Sequence, residues 1–390
     1  MAQDCENYCI VSYEMNPKVF SVKLLVQERR GTFQLICILM SLLFGTIARL
    51  AVSQRGYNFD FESYQLVVAA DEQGLTPWQT NRYNYGPIWF YILEIFDWTS
   101  QKTGVSFRYQ IVLFLTFADI CLSFFVYKVR GTIFACLFFL NPISIIISGY
   151  HNQFDNVSIV LMCFAVSILE TSRFDQFRQR DLVAIFLMGA SVATKHVFFL
   201  FIPWVALRQE KPIKKVIFLI SPYLIFIVSL APFVGSSWDA IFSNVILYRS
   251  EANRPFWNLI GIDLAGDSSG ITFIFVIVMC IAGLMTKKVA LPQTLYLYCL
   301  FLVAFSPAIM NQYLAIAAFG AIGLFNVGFI PYFVYSTYWL LKNENGLQIS
   351  RFEISWFDYL TKFEFQSFPV LLLFGLVWFF LKVNFFDKNC

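Results

Sequence analysis

The chain has 390 residues, of which 58% are hydrophobic and 14% are charged, and its formal net charge is +3. Soluble domains carry about 25% charged residues, so this composition excludes an ordinary soluble globular protein. The small positive charge is accounted for by the short segments between apolar runs, so it indicates no nucleic-acid partner.

Apolar runs near or above ~17 residues, the length needed to cross a ~30 Å hydrocarbon layer, recur along the chain. We predict spans at about 33–53, 107–127, 131–149, 154–170, 216–234, 271–286, 290–306, 311–328, 329–341 and 367–386. The expected fold is an all-α membrane protein, a multi-pass helical bundle of about 10–13 transmembrane or re-entrant helices. We divide it into a cytoplasmic segment 1–32, one membrane domain 33–386 and a cytoplasmic tail 387–390.

Basic residues set the expected orientation. Lys and Arg are concentrated in segments such as 1–32, 171–181 and 208–215, and they are sparse in segment 54–106. Because basic loops stay on the cytoplasmic side, segment 54–106 is expected on the opposite face. That face belongs to a bacterial inner membrane or to the endoplasmic reticulum. No cysteine falls in a predicted outer loop, so no disulfide framework is expected.

The first outer loop, 54–106, opens with two acids, Asp60 and Glu62. A carboxylate at the boundary between water and lipid suits a reaction with a lipid donor and a polar acceptor. The alternative is that these acids simply keep an outer loop soluble. The next stretch, Tyr64 to Gly74, has the pattern of an amphipathic helix lying on the membrane surface.

An aromatic stretch with a turn signal follows, from Arg82 through Tyr85 to Phe90. We take Arg82 and Tyr85 as candidate substrate-binding residues, since aromatic faces and a guanidinium suit sugars and phosphates. The alternative is an ordinary belt of interfacial Tyr and Trp.

The predicted turn between the spans 131–149 and 154–170 is polar without being strongly charged. His151, Gln153 and Asp155 alternate along it and suit hydrogen bonding to a sugar or phosphate. A tight hairpin would tolerate these residues for structural reasons as well. Neither here nor elsewhere does the spacing of ligand residues demand a metal. We therefore expect no cofactor, although a divalent ion is compatible with the acids.

Lys195 and His196 interrupt the apolar stretch 182–207, which has basic residues on both flanks. One long span would put one basic flank on the wrong side. Two half-length helices with Lys195 and His196 at the apex keep both flanks inside. A lysine at depth costs at least ~2.5–3.5 kcal/mol unless it is paired or lines a cavity. We expect Lys195 to meet a phosphate, and the structural alternative is an ion pair with Asp119.

Two later outer segments add weaker candidates. Arg249 and Arg254 lie in segment 235–270, and Gln312 and Tyr313 follow a break at Pro307. Arginine suits bidentate phosphate recognition, but ordinary loop or turn chemistry explains these residues equally well.

The order of these motifs resembles the GT-C superfamily, multi-spanning glycosyltransferases that use polyprenyl-phosphate sugars. Asp60-Phe61-Glu62 resembles the acidic pair in their first outer loop. The run from Asp60 to Pro87, with Gln312-Tyr313, resembles the mannosyltransferase that begins GPI-anchor assembly. Asn141-Pro142 and the run His151 to Asp155 look more like bacterial GT-C enzymes and dolichol-linked glucosyltransferases. Lys195 is similar to a lysine in the equivalent stretch of several such families. Glu62 stands where the GPI enzyme has an aspartate.

The resemblance implies inverting transfer of a hexose, with mannose the first choice, from a polyprenyl-phosphate carrier to a glycan or glycolipid acceptor. Asp60 would act as general base and Glu62 would orient the acceptor or the base. Lys195, His196, Arg249 and Arg254 are the candidates for stabilising the leaving phosphate. The alternatives from other classes are a lipid-linked polysaccharide polymerase, a transporter and a non-catalytic assembly partner.

Overall fold

The computed structural model describes residues 17–56, 58–170, 177–247, 253–261, 268–343, 346–349 and 364–386. Within these ranges the chain is helical and contains no strand. The helices are α1 Pro17–Val52, α2 Phe59–Asp71, α3 Pro87–Thr103, α4 Phe107–Arg130, α5 Thr132–Phe139, α6 Pro142–Ile146, α7 Asp155–Glu170, α8 Gln179–Thr194, α9 Phe201–Ala206, α10 Pro212–Ile241, α11 Pro255–Leu259, α12 Ser268–Met285, α13 Leu291–Phe305, α14 Tyr313–Gly323, α15 Ile330–Lys342 and α16 Ser367–Phe386. The predicted all-α class is confirmed.

Three helical segments in the described part of the chain are long and apolar enough to cross a membrane: Gly31–Val52, Phe107–Arg130 and Pro212–Ile246. A fourth arises if α5 and the segment Pro142–His151, which are bent by 40°, count as one span. Shorter apolar helices follow at Gly270–Met285, Leu291–Phe305, Tyr313–Gly323 and Ser367–Lys382. The structure therefore shows three or four candidate spans, and the larger predicted number stays a prediction.

The predicted break in the stretch 182–207 is confirmed. Helix α8 ends at Thr194, Lys195 is extended (φ −153°, ψ 140°), and a short turn at His196–Phe198 leads into α9. Asp181 at the start of α8 forms a 3.2 Å ion pair with Lys214, which follows α9. The two ends of the stretch therefore lie together at one end of the bundle, as two half-length helices require.

Segment 54–106 folds onto the helices that surround it. Gly86 lies so close to α8 that a Cβ atom there would stand 1.9 Å from the carbonyl oxygen of Ala193. Thr76 and Ser237 share a hydrogen bond of 2.6 Å between their hydroxyl groups. Ser237 is a non-helical residue inside α10. These contacts hold the segment that carries Asp60 against α8 and α10.

Candidate functional site

Asp60 and Glu62 both lie in the first turn of α2, where the helix dipole favours acids. The helix begins at Phe59 because the side-chain oxygen of Asn58 accepts a hydrogen bond of 3.0 Å from the amide of Phe61. Residues two positions apart on a helix point about 200° apart. Accordingly, the Asp60 side chain is 24% exposed and faces the protein, whereas the Glu62 side chain is exposed on the opposite side of the helix. The structure thus separates the predicted acidic pair and leaves Asp60 alone at the site.

Asp60 faces the turn between α6 and α7. Its Oδ2 atom lies 3.9 Å from Nδ1 of His151. His151 ends a wide helical turn at Ile147–His151, and Asn152 then takes a left-handed conformation (φ 58°), which asparagine tolerates better than most residues. His151, Gln153 and Asp155 are all buried. The structure therefore brings together four residues that were singled out from the sequence.

Lys195 joins this group from the break after α8. Its Nζ atom lies 2.7 Å from Oδ2 of Asp155 and 2.9 Å from Oε1 of Gln153. It also lies 5.1 Å from the ring centre of Tyr85 and 4.8 Å from that of Phe154, within cation–π range. The alternative in which Lys195 pairs with Asp119 is wrong, because Asp155 is its partner.

Asp119 is paired with Arg49 instead, and both side chains are buried. Nη2 of Arg49 lies 2.9 Å from Oδ2 of Asp119. The Asp119 carboxylate also accepts hydrogen bonds from the Ser148 hydroxyl (2.6 Å) and the Asn156 amide (3.0 Å). Ser148 and Asn156 stand just before and just after the residues of the turn that face Asp60 and Lys195. One carboxylate therefore holds both ends of the turn that faces Asp60.

Aromatic rings form one wall of the cluster. Trp89 stacks on Phe154 with ring centres 4.1 Å apart, and Tyr64 packs edge-on against both. The Tyr64 hydroxyl donates a 3.2 Å hydrogen bond to the carbonyl of Asn152. Burial raises the pKa of Tyr64 well above its ordinary value, and Tyr85, Asp60 and Asp155 add to that rise. Both carboxylates therefore lie close enough to this ring to act on it electrostatically.

Several polar atoms of the cluster have no hydrogen-bond partner within the described chain. They are Nε2 of His151, Nε2 of Gln153, Oδ1 of Asp155 and Nε1 of Trp89. Buried polar atoms are normally hydrogen-bonded, so a concentration of unpartnered ones needs an explanation. The cluster can offer both donors and acceptors to a polar molecule.

Arg82 lies near Asp60 without joining the buried group. Its guanidinium stacks 3.7 Å above the ring of Phe59, and its Nε atom donates a 3.1 Å hydrogen bond to the hydroxyl of Ser63. It is half-buried. The guanidinium of Arg82 therefore places a positive charge beside the first turn of α2.

The other predicted residues contact residues outside the cluster. The imidazole of His196 packs edge-on against Phe226 (5.2 Å), with its Nε2 buried and unpartnered among the described residues. The Arg254 amide donates a 2.9 Å hydrogen bond to the carbonyl of Pro307, which places it beside the break that precedes Gln312 and Tyr313. Arg249 lies outside the described residues.

Sequence reasoning missed three residues that build the site: Arg49, Asn58 and Arg108. Arg108 donates hydrogen bonds to the carbonyl of Tyr150 (3.1 Å) and to Oδ1 of Asn152 (3.2 Å). Asn58 also donates to the carbonyl of Tyr150. A charged residue inside or at the edge of an apolar run, as Arg49 and Arg108 are, was the available signal.

Among the residues that the structure describes, no group of three or more His, Cys, Asp or Glu side chains is arranged to hold a metal ion. Comparisons with family models, with curated proteins and with solved structures give no match to this chain. The functional argument therefore rests on the geometry of the site.

Proposed function

We propose that this chain is a multi-pass glycosyltransferase of the GT-C type. It would transfer a hexose, with mannose as the first choice, from a polyprenyl-phosphate carrier to a glycan or glycolipid acceptor. The observation that carries the proposal is the position of Asp60. Its carboxylate is partly exposed, stands on a short helix beside a group of apolar helices, and faces a buried polar cluster. The proposed location is a bacterial inner membrane or the endoplasmic reticulum, with the site on the non-cytoplasmic face and membrane lipid around the bundle.

Asp60 is the proposed general base. It takes the proton of the acceptor hydroxyl while that oxygen forms a bond to the anomeric carbon. The bond between that carbon and the phosphate oxygen breaks, and the polyprenyl phosphate leaves with the electron pair. Base assistance of this kind contributes about 10²–10⁴-fold to the rate. The imidazole of His151 is the nearest side chain of the buried turn, with its Nδ1 3.9 Å from the Asp60 carboxylate.

The leaving phosphate needs a cation or hydrogen-bond donors. Lys195 is already engaged by the Asp155 carboxylate at 2.7 Å. None of the ion pairs among the described residues includes Arg82. Arg82 is also half-exposed, and its guanidinium packs against Phe59, the first residue of the helix that carries Asp60. We therefore give Arg82 the phosphate role that the sequence had suggested for Lys195.

A transporter is the second candidate, because one observation favours it. The helix break at Lys195 places a buried ion pair in the interior of an apolar stretch, and transporters build their sites at such breaks. A transporter would move its substrate unchanged. A polysaccharide polymerase would require a diphosphate-linked glycan in place of a monosaccharide donor.

The test is sugar transfer by purified protein in lipid. Polyprenyl-phosphate mannose and glucose are offered beside nucleotide sugars, with extracted glycolipids and lipid-linked oligosaccharides as acceptors. We expect transfer from a lipid-linked donor alone, reduced about 10²–10⁴-fold in Asp60→Asn. The effect of Glu62→Gln should be far smaller because its side chain points elsewhere. Full activity in Asp60→Asn refutes the assignment of the base, and absence of transfer from every monosaccharide donor refutes the proposed class.

A further inference from the structure

The buried cluster next to Asp60 has an unusual hydrogen-bonding balance. Lys195 only donates hydrogen bonds, so the oxygen of the Gln153 amide must face it. The NH2 group of that amide therefore points away from Lys195, and it finds no acceptor in the described chain. The Trp89 indole N–H is a second unused donor, and Oδ1 of Asp155 is an unused acceptor. The cluster therefore lacks a partner that both accepts and donates.

The side chains that carry these atoms adjoin one another. Trp89 stacks on the ring of Phe154, which lies between Gln153 and Asp155 in sequence. Gln153 and Asp155 both bind the Lys195 ammonium group. The unused atoms therefore belong to side chains that contact Phe154 or Lys195, or that flank Phe154 in the chain.

The charges of the cluster argue against an anion there. The ammonium group of Lys195 is paired with the Asp155 carboxylate, and a second carboxylate, that of Asp60, lies 3.9 Å from His151 of the same cluster. The phosphodiester of a polyprenyl-phosphate sugar has no proton to donate to Asp155, and its negative charge is repelled by both carboxylates. A hydroxyl group accepts and donates at once and carries no charge. A pair of neighbouring sugar hydroxyls fits the unused donors and the unused acceptor.

We propose that Trp89, Gln153, Asp155 and Lys195 form a subsite for the hydroxyl groups of a neutral sugar, and that this subsite excludes phosphate. This inference rests on the proposed function and deepens it. The buried cluster binds the sugar, and the half-exposed Arg82 binds the phosphate.

The subsite is closed in this structure, since its unused polar atoms are buried. Helix α2 covers it through two hydrogen bonds, from the Asn58 amide to the Tyr150 carbonyl and from the Tyr64 hydroxyl to the Asn152 carbonyl. A sugar enters when these two bonds open.

The test measures binding of methyl mannopyranoside and methyl glucopyranoside by saturation-transfer NMR, with the full chain in lipid nanodiscs and inorganic phosphate as competitor. Gln153→Glu keeps the oxygen that Lys195 uses and removes the unused donor. Trp89→Phe keeps the aromatic stack and removes the N–H. Each should weaken sugar binding about tenfold. Gln65→Leu, on the exposed side of α2, is the matched control and should bind as wild type does.

Wild-type binding that phosphate does not displace, together with weaker binding in both donor variants, supports the subsite. Displacement by phosphate, undiminished binding in both variants, or no binding to wild type overturns it. These outcomes are separate from the transfer assay. Transfer without sugar binding at this cluster would refute the subsite and leave the proposed function standing. Sugar binding without transfer would refute the proposed function and leave the subsite standing.

Discussion

Removal of the Arg49 guanidinium should destabilise the protein through the charge that it leaves behind. Arg49 is completely buried and Asp119 is 2% exposed. Arg49→Met strands the Asp119 carboxylate and also leaves the carbonyl of Phe139 without its 3.0 Å donor. Breaking a buried ion pair from one side costs about 3–5 kcal/mol. Ser144, Ser148 and Asn156 still donate to the carboxylate, so the lower part of that range, about 3 kcal/mol, is expected.

A second substitution separates the stranded charge from lost packing. Arg49→Met combined with Asp119→Asn removes the charge while keeping an oxygen acceptor in the same place. The double variant should therefore be about 2 kcal/mol more stable than Arg49→Met alone, although it carries one more mutation. Arg55→Met, an exposed arginine just beyond α1, is the matched control and should change stability by less than about 0.5 kcal/mol.

The assay is equilibrium unfolding in mixed micelles by titration with sodium dodecyl sulfate, followed by tryptophan fluorescence. Hydrogen exchange of segment 147–157 in the same samples reports on the turn that Asp119 holds. It should be faster in Arg49→Met and restored toward wild type in the double variant. A double variant less stable than Arg49→Met, or unchanged exchange in the turn, would refute the reasoning.

Two further predictions concern segment 54–106. Burial, followed by a hydrogen bond to Asp71 and the charge of Asp71, raises the pKa of Glu94 from 4.5 to about 7. The folded state holds this proton more tightly than the unfolded state does. The contribution of Glu94 to the free energy of unfolding should therefore be complete below about pH 4.5, be lost as pH rises through about 7 and then stay constant. Melting temperatures across this range should show the fall in wild type and a smaller one in Glu94→Gln. Gly86→Ala should lower stability by about 3 kcal/mol or more, because its Cβ would overlap the backbone of Ala193. Unfolding in mixed micelles measures it.

The predictions for Glu94 and Gly86 each have a reference residue in the same chain. Asp97, whose pKa is also raised, by burial and by Glu72, contributes to the pH dependence in the same direction. Some slope should therefore remain in Glu94→Gln, and an unchanged slope would contradict the role of Glu94. A Cβ at Gly235 meets nothing within 4 Å, so Gly235→Ala in α10 should be neutral or stabilising by up to about 1 kcal/mol. Equal losses in the two alanine variants would contradict the steric argument for Gly86.

The helical class and most helix positions were predictable because an apolar run of membrane length is a continuous pattern in the sequence, which can be recognised without tertiary information. The break at Lys195 was predictable for a similar reason, since basic flanks on both sides of an apolar stretch constrain its path. The gathering of His151, Gln153 and Asp155 followed from their places on one turn.

The pairing of charges was not predictable. Arg49, Asp119, Asp155 and Lys195 all lie in apolar stretches, and each needs a partner at depth. Which acid meets which base depends on the rotation and tilt of the helices, which the sequence pattern does not fix. The separation of Glu62 from Asp60 was not predictable either. Whether Asp60 and Glu62 share a face depends on a helix start at Phe59, which the Asn58 cap determines.

The ion pair between Asp181 and Lys214 has a consequence for biosynthesis. The stretch 182–207 is apolar and long enough to be inserted as a single crossing, and that error would invert every later segment of the chain. In the proposed membrane topology, the contact between Asp181 and Lys214 means that the stretch contributes an even number of crossings. The pair can form only after the chain has doubled back. In that topology the pair stabilises the correctly threaded chain against its inverted counterpart.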